Sequence, residues 1–362
     1  MTETPKIAVV GAGIVGASIA WHLVGAGAEV TVLESGEPGG MATAASFAWI
    51  NASWSNPEPY VRLRMRGMAE WRRLAGKVPG LPAAWCGGLC WDLPEAALRE
   101  FARRHAAWGY AVRTVGRAEI AAIEPALAEP PALAVHAPAE GAVEPVRAAL
   151  ALLRDEAARG ARLRTGMRVL ALRWRGGHVV GVETAQGFVP ADEVVVAAGA
   201  GTAELLATAE VGLRLETPPG LLAHSRPCPP LLQGIVLAPE LHLRQTDEGR
   251  IVMGADFGGA DPGADPAATA RDLLARAGAM LRDAPALELD RWTVGYRPTP
   301  ADGLPVIGRP EGMPGLYVAV MHSGMTLAPV VGQLAARELL TGDRDALLAP
   351  YGWREAVRGR SA

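Results

Sequence analysis

The sequence predicts an α/β fold in which a Rossmann-like unit at the N-terminus is interrupted and then completed by later segments. Three observations support this prediction. A short apolar run at 7–10 leads through a Gly-rich turn into a helical pattern, and the segment VVVAAGAG at 194–201 is a second apolar run that leads into a Gly-rich turn. The segment 79–137 between them has short apolar runs and scattered prolines. A length of 362 residues is enough for about two domains.

The first unit reads IAVVGAGIVGASIA at 7–20, with glycines at 11, 13 and 16. The apolar run at 7–10 suits a buried parallel strand, and residues 14–24 have helical spacing. Gly11 would make the tight turn, Gly13 would let the backbone approach a pyrophosphate, and Gly16 would allow close packing of helix on strand. The helix N-terminus would face the anion. In this context the glycines predict a dinucleotide site.

Glu34 ends a second strand-like run at 29–33, about 20 residues after the glycines. A carboxylate at this position accepts hydrogen bonds from ribose hydroxyls and repels a 2′-phosphate. NADP is therefore disfavoured, whereas NAD and FAD both remain compatible with these residues.

The remaining elements follow in order. An amphipathic helix is expected at 59–76 with its arginines facing solvent, and further helices at 94–109, at 144–161 and at 266–282. Two strands should meet at Gly176–Gly177, and a strand is expected at 287–298. The chain should end with the strand GLYVAV, a loop and a last helix.

Composition excludes several classes of protein. The net charge is −3 without charged blocks, so neither a nucleic-acid surface nor a polybasic membrane patch is expected. Apolar runs are too short for a membrane span, and the first strand begins too early for a signal peptide, so a cytoplasmic protein is expected. Cys86, Cys90 and Cys228 are expected to be reduced thiols, with a CGGLC redox pair as the alternative, and no metal site is predicted.

Four motifs together resemble the D-amino acid oxidase-like family of FAD-dependent oxidoreductases, which includes glycine oxidase and the sarcosine oxidases. They are VVGAGIVG with Glu34, VVVAAGAG at 194–201, GYRPTPADGLPVIG at 295–308 and YVAVMHSGMTLAPVVG at 317–332. The motifs span the chain in the family's order, and the resemblance favours FAD over NAD.

The resemblance implies a Rossmann-like FAD-binding domain of the glutathione-reductase type and a discontinuous substrate domain built on an antiparallel sheet. We expect the FAD-binding domain at 1–78, 138–215 and 292–362, and the substrate domain at 79–137 and 216–291. The cofactor-binding residues that we expect are Gly11, Gly13, Ile14, Val15, Gly16, Glu34, Ser35, Thr43, Ala44, Ala45, Ser46, Ala48, Trp49, Val169, Ala198, Gly199, Gly295, Arg297, His322, Ser323, Gly324, Met325 and Thr326. Residues 322–326 precede a helix, whose positive dipole end would favour reduction of a flavin.

Arg297, His322 and His242 are the candidate catalytic residues. Arg297 matches the family's Arg in G-x-R-P, which in glycine oxidase-like members binds the substrate carboxylate; a structural ion pair with an acid such as Asp302 is the alternative. His242 falls where glycine oxidases often have a carboxylate-binding Tyr, and it could bind an anion only when protonated or donate one hydrogen bond when neutral. His224 lies near the expected domain junction, and like His242 it could simply be a packed residue.

Two departures from the family pattern affect the chemistry. Residues 295–298 contain no Cys and the early flavin loop contains no His, so FAD should be bound non-covalently. The strand at 250–254 lacks the Lys that sarcosine oxidases place near the flavin, so the electron acceptor could be O2 or a quinone or other carrier.

The predicted function is oxidation of the C–N bond of an amino acid or small secondary amine by hydride transfer to flavin N5, followed by hydrolysis of the imine. Two alternatives remain. A flavin dehydrogenase of a 2-hydroxy acid would need a base for the hydroxyl proton. A flavoprotein subunit or tailoring module would depend on a partner for its substrate.

Overall fold

The computed structural model describes residues 4–54, 56–239, 241–256 and 258–359. Its helices are α1 (Ile14–Gly25), α2 (Glu58–Ala75), α3 (Glu95–Ala107), α4 (Arg117–Ile123), α5 (Pro145–Ala158), α6 (Thr202–Ala207), α7 (Pro266–Met280) and α8 (Gly324–Thr341). Short 3-10 helices cover Gly199–Gly201, Ala346–Tyr351 and Glu355–Val357. No helix within the described ranges is both long and apolar enough to cross a bilayer.

A six-stranded sheet forms the Rossmann-like part. Its order is β21-β22-β13-β1-β2-β9, and all neighbours are parallel except β21 and β22. The strands are β1 (Lys6–Val10), β2 (Glu29–Leu33), β9 (Arg162–Arg164), β13 (Glu193–Val196), β21 (Val306–Gly308) and β22 (Leu316–Val320). Helix α1 packs against α5 and α8, and α2 packs against α8, around a core of fully buried residues such as Val9, Ile19 and Val331. The predicted α/β class is thereby confirmed.

An antiparallel meander follows in the chain and leads back into the sheet. It consists of β10 (Val169–Arg175), β11 (His178–Thr184) and β12 (Gly187–Pro190), with the predicted turn at Gly176 and Gly177. Two small sheets pair β3 (Trp49–Ile50) and β4 (Ala83–Ala84) with β8 (Gly141–Val143), and β14 (Leu215–Glu216) with β20 (Thr299–Pro300).

The second large sheet has eight strands in the order β19-β15-β18-β17-β16-β5-β7-β6, antiparallel except for β5 and β16. The strands are β5 (Gly88–Cys90), β6 (Arg113–Gly116), β7 (Leu133–Ala137), β15 (Pro219–Ser225), β16 (Ile235–Ala238), β17 (Leu241–Gln245), β18 (Ile251–Gly254) and β19 (Leu289–Tyr296). The boundary expected at 292 falls inside β19, which pairs with β15 along its length, so a boundary after 296 keeps this strand whole. The division into domains stays a prediction.

Helix α2 departs from the expectation that its arginines face solvent. Arg62 and Arg66 are exposed, but Arg64 is 6% exposed. Residues two apart on a helix point in nearly opposite directions, so Arg64 lies on the buried face when its two neighbours lie on the surface. The buried position of Arg64 therefore corrects the sequence-based expectation.

Candidate active site

A cavity of about 1200 Å³ runs along the carboxyl edge of the six-stranded sheet. Gly11 follows β1, Glu34 follows β2 and Ala197 follows β13, and all three residues line it. Ligands of open α/β sheets bind at this edge. The cavity exceeds the roughly 300–1,000 Å³ that small ligands need, as expected for a dinucleotide with a substrate beside it.

The Gly-rich turn closes the sheet against α1 through contacts that a side chain would block. A Cβ on Gly11, whose φ is 106°, would lie 2.5 Å from the carbonyl oxygen of Ala197. A Cβ on Gly16 would lie 1.9 Å from the carbonyl oxygen of Gly11, so Gly16 sets the approach of α1 to β1. The backbone N–H of Ile14 donates to Oγ1 of Thr43 at 3.1 Å, which ties the following loop to the start of α1.

Glu34 lies beside this turn with its carboxylate partly engaged. Its Oε2 accepts the backbone N–H of Ala12 at 2.8 Å, and its Oε1 accepts the N–H of Gly36 at 2.8 Å and the hydroxyl of Ser35 at 3.2 Å. Each carboxylate oxygen has about two acceptor positions, so Oε2 retains one for a further donor. This donor set and the glycine cradle fit the ribose and pyrophosphate of a dinucleotide.

Most of the predicted cofactor residues line this one cavity. They are Gly11, Gly13, Ile14, Val15, Glu34, Ser35, Thr43, Ala45, Ser46, Ala48, Trp49, Val169, Ala198, Gly199, Gly295, Arg297, His322, Ser323, Gly324, Met325 and Thr326. Gly16 and Ala44 are not in the lining. Gly16 packs against Gly11 in the turn, and the two neighbours of Ala44 along the chain do line the cavity. Their contacts with FAD stay predictions.

Arg297 is the residue that follows β19, and it lines the cavity. Its guanidinium lies against Gly258, where an added Cβ would be 2.1 Å from both Nη1 and Nη2. Its Nε is buried without a hydrogen-bond partner, and no acid in the described ranges forms an ion pair with it. The alternative partner Asp302 instead binds Arg354 in a bidentate pair of 2.6 and 2.7 Å, which lowers the pKa of Asp302. The structural ion pair considered for Arg297 is therefore not formed.

His322 is held by hydrogen bonds at both ring nitrogens. Nε2 lies 2.7 Å from the carbonyl oxygen of Gly303, so it carries the proton and donates. Nδ1 then accepts from the hydroxyl of Ser323 at 2.9 Å. Burial, with the nearby Arg64 guanidinium as the next cause, lowers the pKa of His322 to about 4. A neutral imidazole engaged on both sides positions the loop and has no free nitrogen for acid–base work.

His242 and His224 lie outside the cavity lining. His242 is 1% exposed, with Nε2 3.4 Å from Oδ2 of Asp92. His224 is 7% exposed, its Nε2 contacts Oγ1 of Thr293 at 3.3 Å, and burial lowers its pKa to about 4. His242 is not among the described lining residues, so its role as a catalytic residue stays a prediction.

Sequence reasoning missed the polar side of the site. The missed lining residues include Asn51, Ser53, Trp54, Asn56, Arg64, Leu222, Gly258 and Tyr296. Behind Ser53, the buried carboxylate of Glu140 accepts hydrogen bonds from Ser53, Tyr110 and, at 2.8 Å, Nε1 of Trp49. The polar run NASWSN after the flavin loop was the available signal, whereas nothing local marks Glu140.

The fold and the cavity together define a dinucleotide-binding protein with a second, mostly antiparallel sheet. The chain belongs to the DAO family of FAD-dependent oxidoreductases, whose family model matches residues 6–338. Glycine oxidase from Geobacillus kaustophilus (strain HTA426) is 30% identical in an alignment 375 positions long, which covers 97% of each chain. The protein is therefore an FAD-dependent enzyme of the amino acid and amine oxidase type.

Two solved structures agree with this assignment. The crystal structure of glycine oxidase from Geobacillus kaustophilus has a TM-score of 0.86 at 28% identity, covering 97% of this chain and 99% of that one. Iminodiacetate oxidase from Chelativorans sp. BNC1 has a TM-score of 0.83 at 26% identity, covering 96% and 98%.

Proposed function

We propose that this enzyme oxidises the C–N bond of an amino acid or small carboxylate-bearing secondary amine, with the substrate carboxylate bound by Arg297. The observation that carries the proposal is the guanidinium of Arg297, which faces the cavity and forms no ion pair within the described ranges. A guanidinium fork matches a planar carboxylate with two parallel hydrogen bonds.

FAD would supply the hydride acceptor and would pass the electrons on to O2 or to a carrier such as a quinone. The imine product would be hydrolysed. Glu34 and the first turn of α1 would hold the ribose and pyrophosphate. The loop at 43–49 and residues 322–326 would hold the flavin. Residues 295–298 contain no Cys and the loop at 43–49 contains no His, which supports non-covalent binding.

The scarcity of bases near Arg297 favours an amine over a hydroxy acid. The acidic residues that line the described part of the cavity are Glu34, Glu37 and Glu204, which belong to the nucleotide segments. His322 has both nitrogens engaged. Oxidation of a 2-hydroxy acid requires a base for the hydroxyl proton, whereas a neutral amine can transfer hydride without one.

The relatives support the same substrate class and a free-standing enzyme. Their names, glycine oxidase and iminodiacetate oxidase, refer to compounds that contain both an amine and a carboxylate. The match to glycine oxidase covers 97% of both chains, which favours an enzyme acting on free substrates over a partner-dependent subunit.

The test compares carboxylate substrates with their decarboxylated amines in wild type and Arg297→Met. Loss of a bidentate charged pair should cost about 2–4 kcal/mol, or about 30- to 1,000-fold in kcat/KM, for the carboxylates alone. Arg297→Lys should recover little, because an ammonium group lacks the planar fork. FAD content should not change.

Arg291→Met is the control, since Arg291 is exposed on β19, the strand that leads to Arg297, and pairs with Asp290. Equal losses for both substrate types in Arg297→Met, or a wild-type preference for the plain amine, would contradict the proposal.

A further inference from the structure

Arg64 is a buried cation at the cavity with no assigned role. It is 6% exposed and lines the cavity from α2, which otherwise presents its arginines to solvent. Its Nε donates to the carbonyl oxygen of Asn51 at 3.1 Å, its Nη2 to Oδ1 of the same residue, and its Nη1 to Oγ of Ser323 at 2.8 Å. Three of the five guanidinium N–H groups are therefore used, and two remain.

No acid in the described ranges forms an ion pair with Arg64. The carboxylate of Glu140 acts on it only at longer range, and burial raises the pKa of Glu140 to about 7, so its own charge is incomplete at neutral pH. A buried guanidinium without a counter-charge is costly in free energy. The site is therefore arranged for a negative charge that arrives with a ligand.

The helix crossing fixes this cation at the start of α8. A Cβ on Gly67 would lie 2.4 Å from the carbonyl oxygen of Thr326, so α2 approaches α8 closely one turn after Arg64. Ser323, which accepts the Arg64 hydrogen bond, adopts a left-handed conformation with φ 58° and is the N-cap residue of α8. The guanidinium and the positive end of the α8 dipole thus act in the same place.

A charge count separates the roles of the two cavity arginines. Hydride transfer brings two electrons and one proton to the flavin, so the cofactor gains one negative charge and the amine leaves as a cationic imine. A substrate carboxylate would compensate Arg297. Among the described lining residues, Arg64 is the buried cation that remains to balance the negative charge gained by the flavin.

We propose that Arg64 is the counter-charge of the reduced flavin: it stabilises the negative charge that the cofactor gains and so raises the reduction potential of the bound FAD. The proposal does not depend on the substrate or on Arg297. It rests on FAD binding with its flavin ring at the end of the cavity lined by residues 322–326.

The test measures the FAD midpoint potential of the holoenzyme in Arg64→Met, Arg64→Lys and the control Arg62→Met. Arg62 lies two residues away, is exposed and pairs only with Glu58 in the described contacts. Arg64→Met should lower the equilibrium constant for two-electron reduction of the bound FAD about 10- to 100-fold. This corresponds to a fall in the midpoint potential of about 30 mV for each factor of ten. Arg62→Met should leave the potential unchanged.

Arg64→Lys separates charge from positioning. Lys keeps the charge but cannot reproduce the forked contacts with Asn51 and Ser323, so under the proposal it should retain most of the wild-type potential. Equal shifts in the Met and Lys variants would assign Arg64 a positioning role and overturn the proposal. An unchanged potential with a raised KM for dicarboxylate amines would instead make Arg64 a second substrate anchor.

A measurement on wild type keeps the proposal testable if Arg64→Met does not fold. The fully reduced holoenzyme is titrated towards acid while its flavin spectrum is followed. The pKa of flavin N1 should lie below that of free reduced FAD, because a cation beside the ring favours the anionic form. A pKa equal to or above the free value would contradict the proposal.

Discussion

Replacement of Glu34 by Ala tests the nucleotide half of the site. In the structure Oε2 accepts the N–H of Ala12, a residue with no exposed surface, and has room for one further donor. If that donor is a ribose hydroxyl, Glu34→Ala removes a charge-assisted hydrogen bond from the complex. Such bonds contribute about 1–3 kcal/mol, so the Kd for FAD should rise about 5- to 150-fold.

The assay is titration of the apoprotein with FAD, followed by flavin fluorescence. Because the variant also leaves the N–H of Ala12 without its acceptor, unfolding of the apoprotein is measured separately to distinguish lost stability from lost binding. Glu37→Ala is the control, since Glu37 is an exposed acid that lines the same segment of the cavity. An FAD affinity in Glu34→Ala equal to that of Glu37→Ala would refute the placement of the ribose.

Two further predictions concern the cofactor linkage and a buried acid. Acid precipitation of the purified enzyme should release all its FAD into solution, and colour retained in the pellet would contradict non-covalent binding. Burial raises the pKa of Glu140 in the folded protein from 4.5 to about 7. As the pH rises from 4.5 to about 7, the unfolding free energy of wild type should therefore fall by about 3 kcal/mol relative to that of Glu140→Gln. Denaturant unfolding at fixed FAD concentration measures this difference, and a pH-independent difference would show that Glu140 does not titrate there.

The nucleotide half of the site could be predicted from sequence because its signals are local. Gly11, Gly13 and Gly16 are needed at fixed spacing between a strand and a helix, and Glu34 follows the next strand. The sequence pattern placed α1, α2, α3 and α7 to within about two residues, as with α7, expected at 266–282 and found at Pro266–Met280.

The other half depends on contacts that spacing does not encode. Arg64 is separated from Ser323 by 259 residues and Tyr110 from Glu140 by 30, so only the packing of α2 on α8 and of the small sheet reveals them. Spacing likewise does not show the surroundings of His242. Alternation along β17 does not reveal that its side chain faces Asp92 in the interior and not the cavity.

The most direct test of the central claim is anaerobic mixing of the holoenzyme with three sets of compounds: amines that carry a carboxylate, their decarboxylated counterparts, and 2-hydroxy acids. We expect loss of the oxidised flavin absorbance with at least one amine carboxylate, a much slower loss with its decarboxylated partner, and none with the hydroxy acids. Bleaching by 2-hydroxy acids alone, or by plain amines in preference to their carboxylates, would contradict the account.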